Sequence, residues 1–296
     1  MKKKTIFEGV ATALITPFCE DGIDYECFGR LIDWQIEKGV NALVVCGTTG
    51  ESSTLSDDEH RDAITFAVKK VAGRVPVIAG AGSNDTAYAI DLANCACASG
   101  ADALLCVTPY YNKCTQNGLI QMFTQIADAS TVPLILYNVP SRTGLNIEPS
   151  TYLALADHPN IAAIKEASGN ISKAVETMSL VRDKLDLYSG NDDQILPILS
   201  LGGKGVISVL SNVLPLETVE MCNKYFKGDV KGCAEMQYKY LPLIHALFSE
   251  VNPIPVKYAM SKMGFCNGDI RLPLTVMEEK NAKVLLSEMK KAGIQL

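Results

Sequence analysis

Short runs of consecutive apolar residues recur along the chain about every 30 residues, the length of a strand-plus-helix unit. They predict strands at Val10–Ile15, Ala42–Cys46, Val75–Ala79, Ala103–Val107, Leu134–Tyr137, Ile161–Lys165, Leu187–Ser189 and Gly205–Val209. The runs are near-continuous rather than alternating, as expected of strands covered on both faces. Between them the apolar positions adopt helical spacing, for example in Asp24–Lys38, Asp57–Ala72, Thr86–Ser99 and Leu119–Ala129. Ser56 followed by Glu59 is a capping-box pattern that marks the start of the second of these helices. Eight strand–helix units in sequence predict an α/β fold, a (β/α)8 TIM barrel. A doubly wound open sheet is the alternative, but no G-x-G-x-x-G follows the first strand.

After Lys227 the strand signals stop. Residues 229–250, 253–263 and 275–292 predict three further helices, with Asn252-Pro253 as a cap and first turn and Gly264 as a stop. The expected organisation is a catalytic barrel over residues 1–228 and a C-terminal helical extension over 229–296.

Composition narrows the function classes. Hydrophobic residues make up 48% of the chain and charged residues 20%, enough to bury a large core. The net charge of −6 gives no basic face for a nucleic acid. The opening Met1-Lys2-Lys3-Lys4 is basic, but Glu8 interrupts it before any signal-peptide core, and no apolar stretch reaches the ~20 residues of a membrane helix. A cytoplasmic protein without nucleic-acid or membrane partners is expected. Ten cysteines are irregularly spaced without a C-x-x-C, and only three histidines are present, so no metal site is expected and the cysteines should be reduced.

In a barrel of this kind the active site lies at the C-terminal ends of the strands. Lys165 ends the sixth predicted strand. Burial disfavours an ammonium, and a neutral lysine amine condenses with ketones and aldehydes; a strand-end lysine can equally reach into water. The second strand leads into Gly47-Thr48-Thr49-Gly50-Glu51-Ser52, where exposed amides and two hydroxyls could cradle a carboxylate or form an ordinary turn. Tyr137 ends the fifth strand as a candidate proton carrier or a core tyrosine. Tyr110 and Tyr111 follow the fourth strand as candidate site or packing aromatics, and Arg142 suits bidentate recognition of a carboxylate. One amine, phenols, threonines and an arginine at one barrel mouth suit enamine chemistry on an α-keto acid.

Several motifs together carry a resemblance running from Gly9 to the C-terminal helices. They are Gly47–Ser52, Pro109-Tyr110-Tyr111-Asn112, Tyr137-Asn138-Val139-Pro140-Ser141-Arg142-Thr143-Gly144, Lys165-Glu166-Ala167-Ser168-Gly169 and Gly205-Val206-Ile207-Ser208. The chain resembles the pyruvate-dependent class I aldolase family that includes N-acetylneuraminate lyase, and within it the dihydrodipicolinate synthase branch. That resemblance implies a lyase in which Lys165 forms a Schiff base with pyruvate and no separate cofactor is used. It implies that Tyr137 carries protons through Thr48 to Tyr111 of a neighbouring subunit. Thr48 and Thr49 would bind the pyruvate carboxylate, Arg142 that of L-aspartate 4-semialdehyde, and Gly190 and Ile207 would supply carbonyls. The implied reaction is the first committed step toward lysine and diaminopimelate, and the implied assembly is a homotetramer of two dimers. Another Schiff-base aldolase or lyase acting on a sugar acid is the alternative.

Lysine-inhibited members of that branch hold the inhibitor in a pocket near a dimer interface. The corresponding positions here are Ser52, Ser53, Asp57, His60, Gly82, Asn84, Tyr88 and Tyr110. Tyr88 stands where a glutamate contacts the lysine amine, and Asp57 where a histidine is usual. An ammonium buried without a carboxylate is costly. Weak or absent inhibition by L-lysine is therefore expected.

Overall fold

The computed structural model describes residues 3–296; Met1 and Lys2 of the basic opening lie outside them. Among the described residues eight parallel strands close a barrel. They are β1 (Gly9–Ala13), β2 (Ala42–Val45), β3 (Val77–Gly80), β4 (Ala103–Val107), β5 (Leu134–Asn138), β6 (Ile161–Glu166), β7 (Asp186–Ser189) and β8 (Gly205–Ser208). Each pairs with its neighbour in sequence, and β1 pairs with both β2 and β8, so the barrel has no open edge. This is the (β/α)8 architecture that the apolar runs predict.

Strand ends differ from the predicted bounds by a residue or two, for local reasons. Pro76 has no N–H to give the ladder, so β3 starts at Val77, whose N–H donates to Asp102 Oδ2 at 2.8 Å. β1 ends at Ala13, and the Ile15 N–H turns to Asn212 Oδ1 at 3.3 Å. A two-stranded antiparallel ribbon, Phe18–Cys19 with Gly22–Ile23, is too short to show in the apolar pattern.

Outside the barrel lie α1 (Tyr25–Glu37), α2 (Asp57–Val71), α3 (Thr86–Ser99), α4 (Gln116–Ala129), α5 (Pro140–Thr143), α6 (Pro149–Leu155), α7 (Ile171–Val181), α8 (Ile195–Ser200) and α9 (Pro215–Phe226). Side chains of Asp24, Asp85, Thr115 and Asn170 each accept an N–H from the first turn of the following helix. Ser56 and Glu59 form the complete capping box of α2.

Strand residues alternate between two apolar layers. Val10, Leu43, Ala79, Leu104, Leu136 and Ile164 pack outward among the helices. Ala11, Val44, Ile78, Leu105, Ile135 and Ile207 fill the interior. Phe7 stacks on Tyr188 with ring centroids 4.2 Å apart, filling the interior beside these residues. A shift of register after Leu134 sets Ile161 outward and Ala163 inward, so Lys165 also faces in and Glu166 faces out.

Beyond α9 come α10 (Val230–Leu247), α11 (Ile254–Lys262) and α12 (Glu279–Lys291). Each is shorter than its apolar pattern suggests; Gly264, at φ 77°, follows the end of α11. Leu243, Leu247, Met260, Leu285 and Met289 join the same apolar cluster as the outward strand residues.

Candidate active site

Lys165 enters the barrel mouth between two tyrosine positions. In the ladder it pairs with Tyr137 of β5 on one side and Tyr188 of β7 on the other. Its Nζ lies 4.1 Å from the centroid of the Tyr137 ring. Lys165 is 6% exposed, and among the described residues its amine has no hydrogen bond or ion pair. The adjacent Glu166 points the other way, accepting from Asn138 Nδ2 at 3.2 and 3.3 Å and from the Ser168 N–H at 2.6 Å. These bonds brace β5 against β6 from outside, leaving the inner face to Tyr137 and Lys165. Gly190 is required sterically: a Cβ there would come 2.7 Å from Ala167 Cβ and 3.1 Å from Lys165 Cε.

The turn after β2 is tied down tightly. A Cβ at Gly50 would approach Thr16 Oγ1 to 3.1 Å and the Leu14 carbonyl to 3.2 Å, and the Gly50 carbonyl accepts from the Thr16 hydroxyl at 2.7 Å. The N–H groups of Gly50 and Glu51 fold back onto the carbonyls of Gly47 and Thr48, both at 3.1 Å. The N–H groups of Thr48 and Thr49 donate to nothing among the described residues. Two free amides beside two hydroxyls form a concavity suited to an anion.

Thr48, Thr49, Tyr137, Arg142, Lys165 and Gly190 all line one cavity of about 160 Å³. That space suits a small molecule of a few heavy atoms. Asn252 also lines it, a residue the sequence reading assigns only to a helix start. Its Nδ2 donates to Thr49 Oγ1 at 3.0 Å, which leaves the Thr49 O–H free to donate elsewhere. Its backbone carbonyl accepts from Arg142 Nη2 at 3.2 Å, while its Oδ1 is buried without a partner. Asn-Pro before a helix signals only a cap, so nothing local reveals this bridge between Thr49 and Arg142.

Two other residues named from the sequence lie outside this cavity. Ile207 is buried in β8 and does not line the cavity; Val209 does. Tyr111 stands 93% exposed, with φ at 71°, and within the single chain does not reach Thr48.

A second cavity of about 280 Å³ adjoins the first, and Thr48 and Arg142 line both. Ser52, Ser53, His60, Gly82, Tyr88 and Tyr110 contribute to it. The Tyr88 hydroxyl donates to Asp57 Oδ1 at 2.6 Å; burial first, then this bond, push the phenol up to about 12. Burial holds the His60 imidazole below its usual range, with Nε2 2.8 Å from the Gly80 carbonyl. Asn84 donates to the Tyr110 carbonyl at 3.2 Å and accepts from Asn112 at 2.8 Å through its own carbonyl.

Residues 6–292 match the model of the dihydrodipicolinate synthetase family. The chain belongs to that family. It is 56% identical over 292 residues to the 4-hydroxy-tetrahydrodipicolinate synthase of Caldicellulosiruptor saccharolyticus, covering 98% of this chain and 99% of that one. It is 54% identical over 293 residues to the enzyme of the same name from Caldicellulosiruptor bescii, covering 99% of each. The crystal structure of dihydrodipicolinate synthase from Thermotoga maritima superposes with a TM-score of 0.96 at 44% identity, covering 98% of this chain and 100% of that one. As a member of the dihydrodipicolinate synthetase family, the chain matches these relatives over almost its whole length. No helix of the described residues is long and apolar enough to cross a membrane.

Proposed function

We propose that this chain condenses pyruvate with L-aspartate 4-semialdehyde to give 4-hydroxy-tetrahydrodipicolinate, the entry to lysine and diaminopimelate synthesis, in the cytoplasm. The observation that carries the assignment of residues is Lys165: a buried amine without a partner, in a small cavity whose wall offers the free Thr48 and Thr49 amides.

The pyruvate carboxylate sits on the Thr48 and Thr49 amides and hydroxyls, which brings its keto carbon to Lys165. The amine attacks that carbon and water leaves, forming an iminium. The iminium draws electrons from the neighbouring methyl group, so loss of a methyl proton gives an enamine. Tyr137, with its ring against the lysine amine, and Thr48 carry the protons of these steps. Tyr111 of a neighbouring copy completes the relay, a role its 93% exposure leaves open to it. Arg142 holds the carboxylate of the semialdehyde. The enamine carbon attacks the aldehyde, creating the hydroxyl of the product. The amine of the bound semialdehyde unit then attacks the imine carbon, closes the ring and releases Lys165. The lysine itself supplies the covalent catalysis, so the steps need no added cofactor.

In this reading residues 1–228 carry the chemistry, residues 229–296 buttress it, and the assembly is a tetramer of two dimers. Borohydride reduction in the presence of pyruvate, followed by peptide mapping, tests the assignment. The expected adduct is on Lys165; no adduct, or one elsewhere, overturns it. The second cavity binds L-lysine weakly or not at all. Its lining contains no carboxylate and includes Arg142, and Asp57, which lies outside the lining, already accepts the Tyr88 hydroxyl. Calorimetry should show no lysine binding tighter than the millimolar range, about −4 kcal/mol.

A further inference from the structure

A charged cluster lies behind the turn that carries Thr48 and Thr49, and none of the steps above uses it. Glu51 ends that turn with φ at 54°, a left-handed conformation that a residue with a side chain keeps only where its surroundings hold it. Its carboxylate is fully enclosed. Lys257, on α11, places Nζ 2.5 Å from Glu51 Oε1, and both side chains are 1% exposed. The Arg271 N–H donates to Glu51 Oε2 at 3.1 Å. The Lys257 ammonium also lies 3.8 Å from the centroid of the Phe18 ring, which the Arg271 guanidinium approaches to 4.1 Å.

The cluster extends to either side of the turn. The Arg271 guanidinium donates to the Thr54 carbonyl at 2.9 Å and grips Glu59 at 2.5 and 2.6 Å. Asn252 holds Thr49 from the cavity side. Residues 252–271 therefore fasten the turn at Thr49, Glu51 and Thr54. The pair also has an electrostatic consequence. Thr49 is close to Glu51 in sequence, and Thr48 and Thr49 are the seat of a substrate carboxylate. An unpaired carboxylate enclosed behind that turn would act on a second negative charge through little water.

The geometry points to Lys257 as a positioning residue for the reaction: acting through Glu51, it holds the Thr48–Thr49 turn and cancels a charge that would oppose pyruvate. This rests on the proposed role of Thr48 and Thr49. Lys257 touches neither substrate, so its effect belongs to pyruvate and not to the semialdehyde.

Three variants separate charge from packing: Lys257→Met, Glu51→Gln and the double variant. The readouts are the pyruvate concentration that half-saturates borohydride trapping and the KM of each substrate. Lys257→Met removes the ammonium bound to the buried carboxylate, leaving it the Arg271 N–H, and should raise pyruvate half-saturation about tenfold or more, with the semialdehyde KM changing less than about twofold. Glu51→Gln keeps an acceptor for Lys257 but removes the negative charge, so its half-saturation should equal or fall below that of the parent. The double variant should lie between the two. A rise in Glu51→Gln as large as that in Lys257→Met, or equal rises for both substrates, marks a merely structural contact and overturns the inference. So does an unchanged Lys257→Met. If Lys257→Met does not fold, Glu51→Gln and the double variant decide by the same ordering. An unmodified enzyme that traps no pyruvate refutes the proposed function instead, which keeps the two failures distinct.

Discussion

Lys165 and Lys257 are both buried, at 6% and 1% exposure, yet they occupy opposite electrostatic situations. Lys257 is locked to Glu51, with the Phe18 ring against its ammonium. Burial lowers its pKa and Glu51 pulls it back, so the pair acts as one fixed unit. Lys165 has no carboxylate beside it; its amine faces a cavity, next to a tyrosine ring. A buried cation held by a carboxylate is spent on structure, because separating the pair strands a charge. A buried amine without such a partner is free to form a bond with an arriving carbonyl carbon. Under the proposed function, one lysine serves the reaction and the other the frame around it.

Removing each lysine tests that division first. Lys165→Ala should lower turnover by at least about 10³-fold and abolish the borohydride adduct while the protein stays folded; substantial residual turnover would erase the distinction. Lys257→Met should instead be felt in stability, by about 3–5 kcal/mol in urea unfolding, because Glu51 stays buried without its ammonium partner. Much of that loss should return in the Glu51→Gln/Lys257→Met variant. A Lys257→Met protein as stable as its parent would break the contrast.

Arg142 sharpens it at the cavity rim. Arg142→Ala should raise the KM for the semialdehyde about 10- to 100-fold while borohydride trapping of pyruvate on Lys165 proceeds normally. Impaired trapping would move Arg142 into the pyruvate site.

The smallest effect concerns His60, a buried imidazole that holds its proton less readily than in water. The unfolded chain takes up a proton at this residue near pH 6.5, and the native state resists it. The unfolded state therefore binds more protons below that pH, and stability should decline as pH falls from about 7 to 5. His60→Gln should flatten that part of the profile in urea titrations at stepped pH. An unchanged slope would show that other groups set it.

Much of the site was legible because its residues sit where strands end. The apolar run before Lys165 and the glycines around Thr48 and Thr49 are local signals, and the barrel rule brings them to one mouth. Arg142 was readable as an arginine soon after Tyr137, although it sits on the short helix α5 and not on a loop. Asn252 was not, because its bonds to Thr49 and from Arg142 span 203 and 110 residues of chain. Tyr111 carries a clear motif, yet the single chain leaves it exposed, and the proposed relay needs a second copy to bring it to Thr48.

What the sequence determined by itself was the alternation of strand and helix, the caps that start the helices and the motifs at the strand ends. These depend on side-chain period and on hydrogen bonds between residues a few positions apart. Only the tertiary structure decided which buried lysine is paired. Glu51 and Lys257 are 206 residues apart, and no periodicity or motif encodes a contact of that span. It arises because α11 packs back over the barrel mouth, where the enclosed carboxylate of the turn requires a cation.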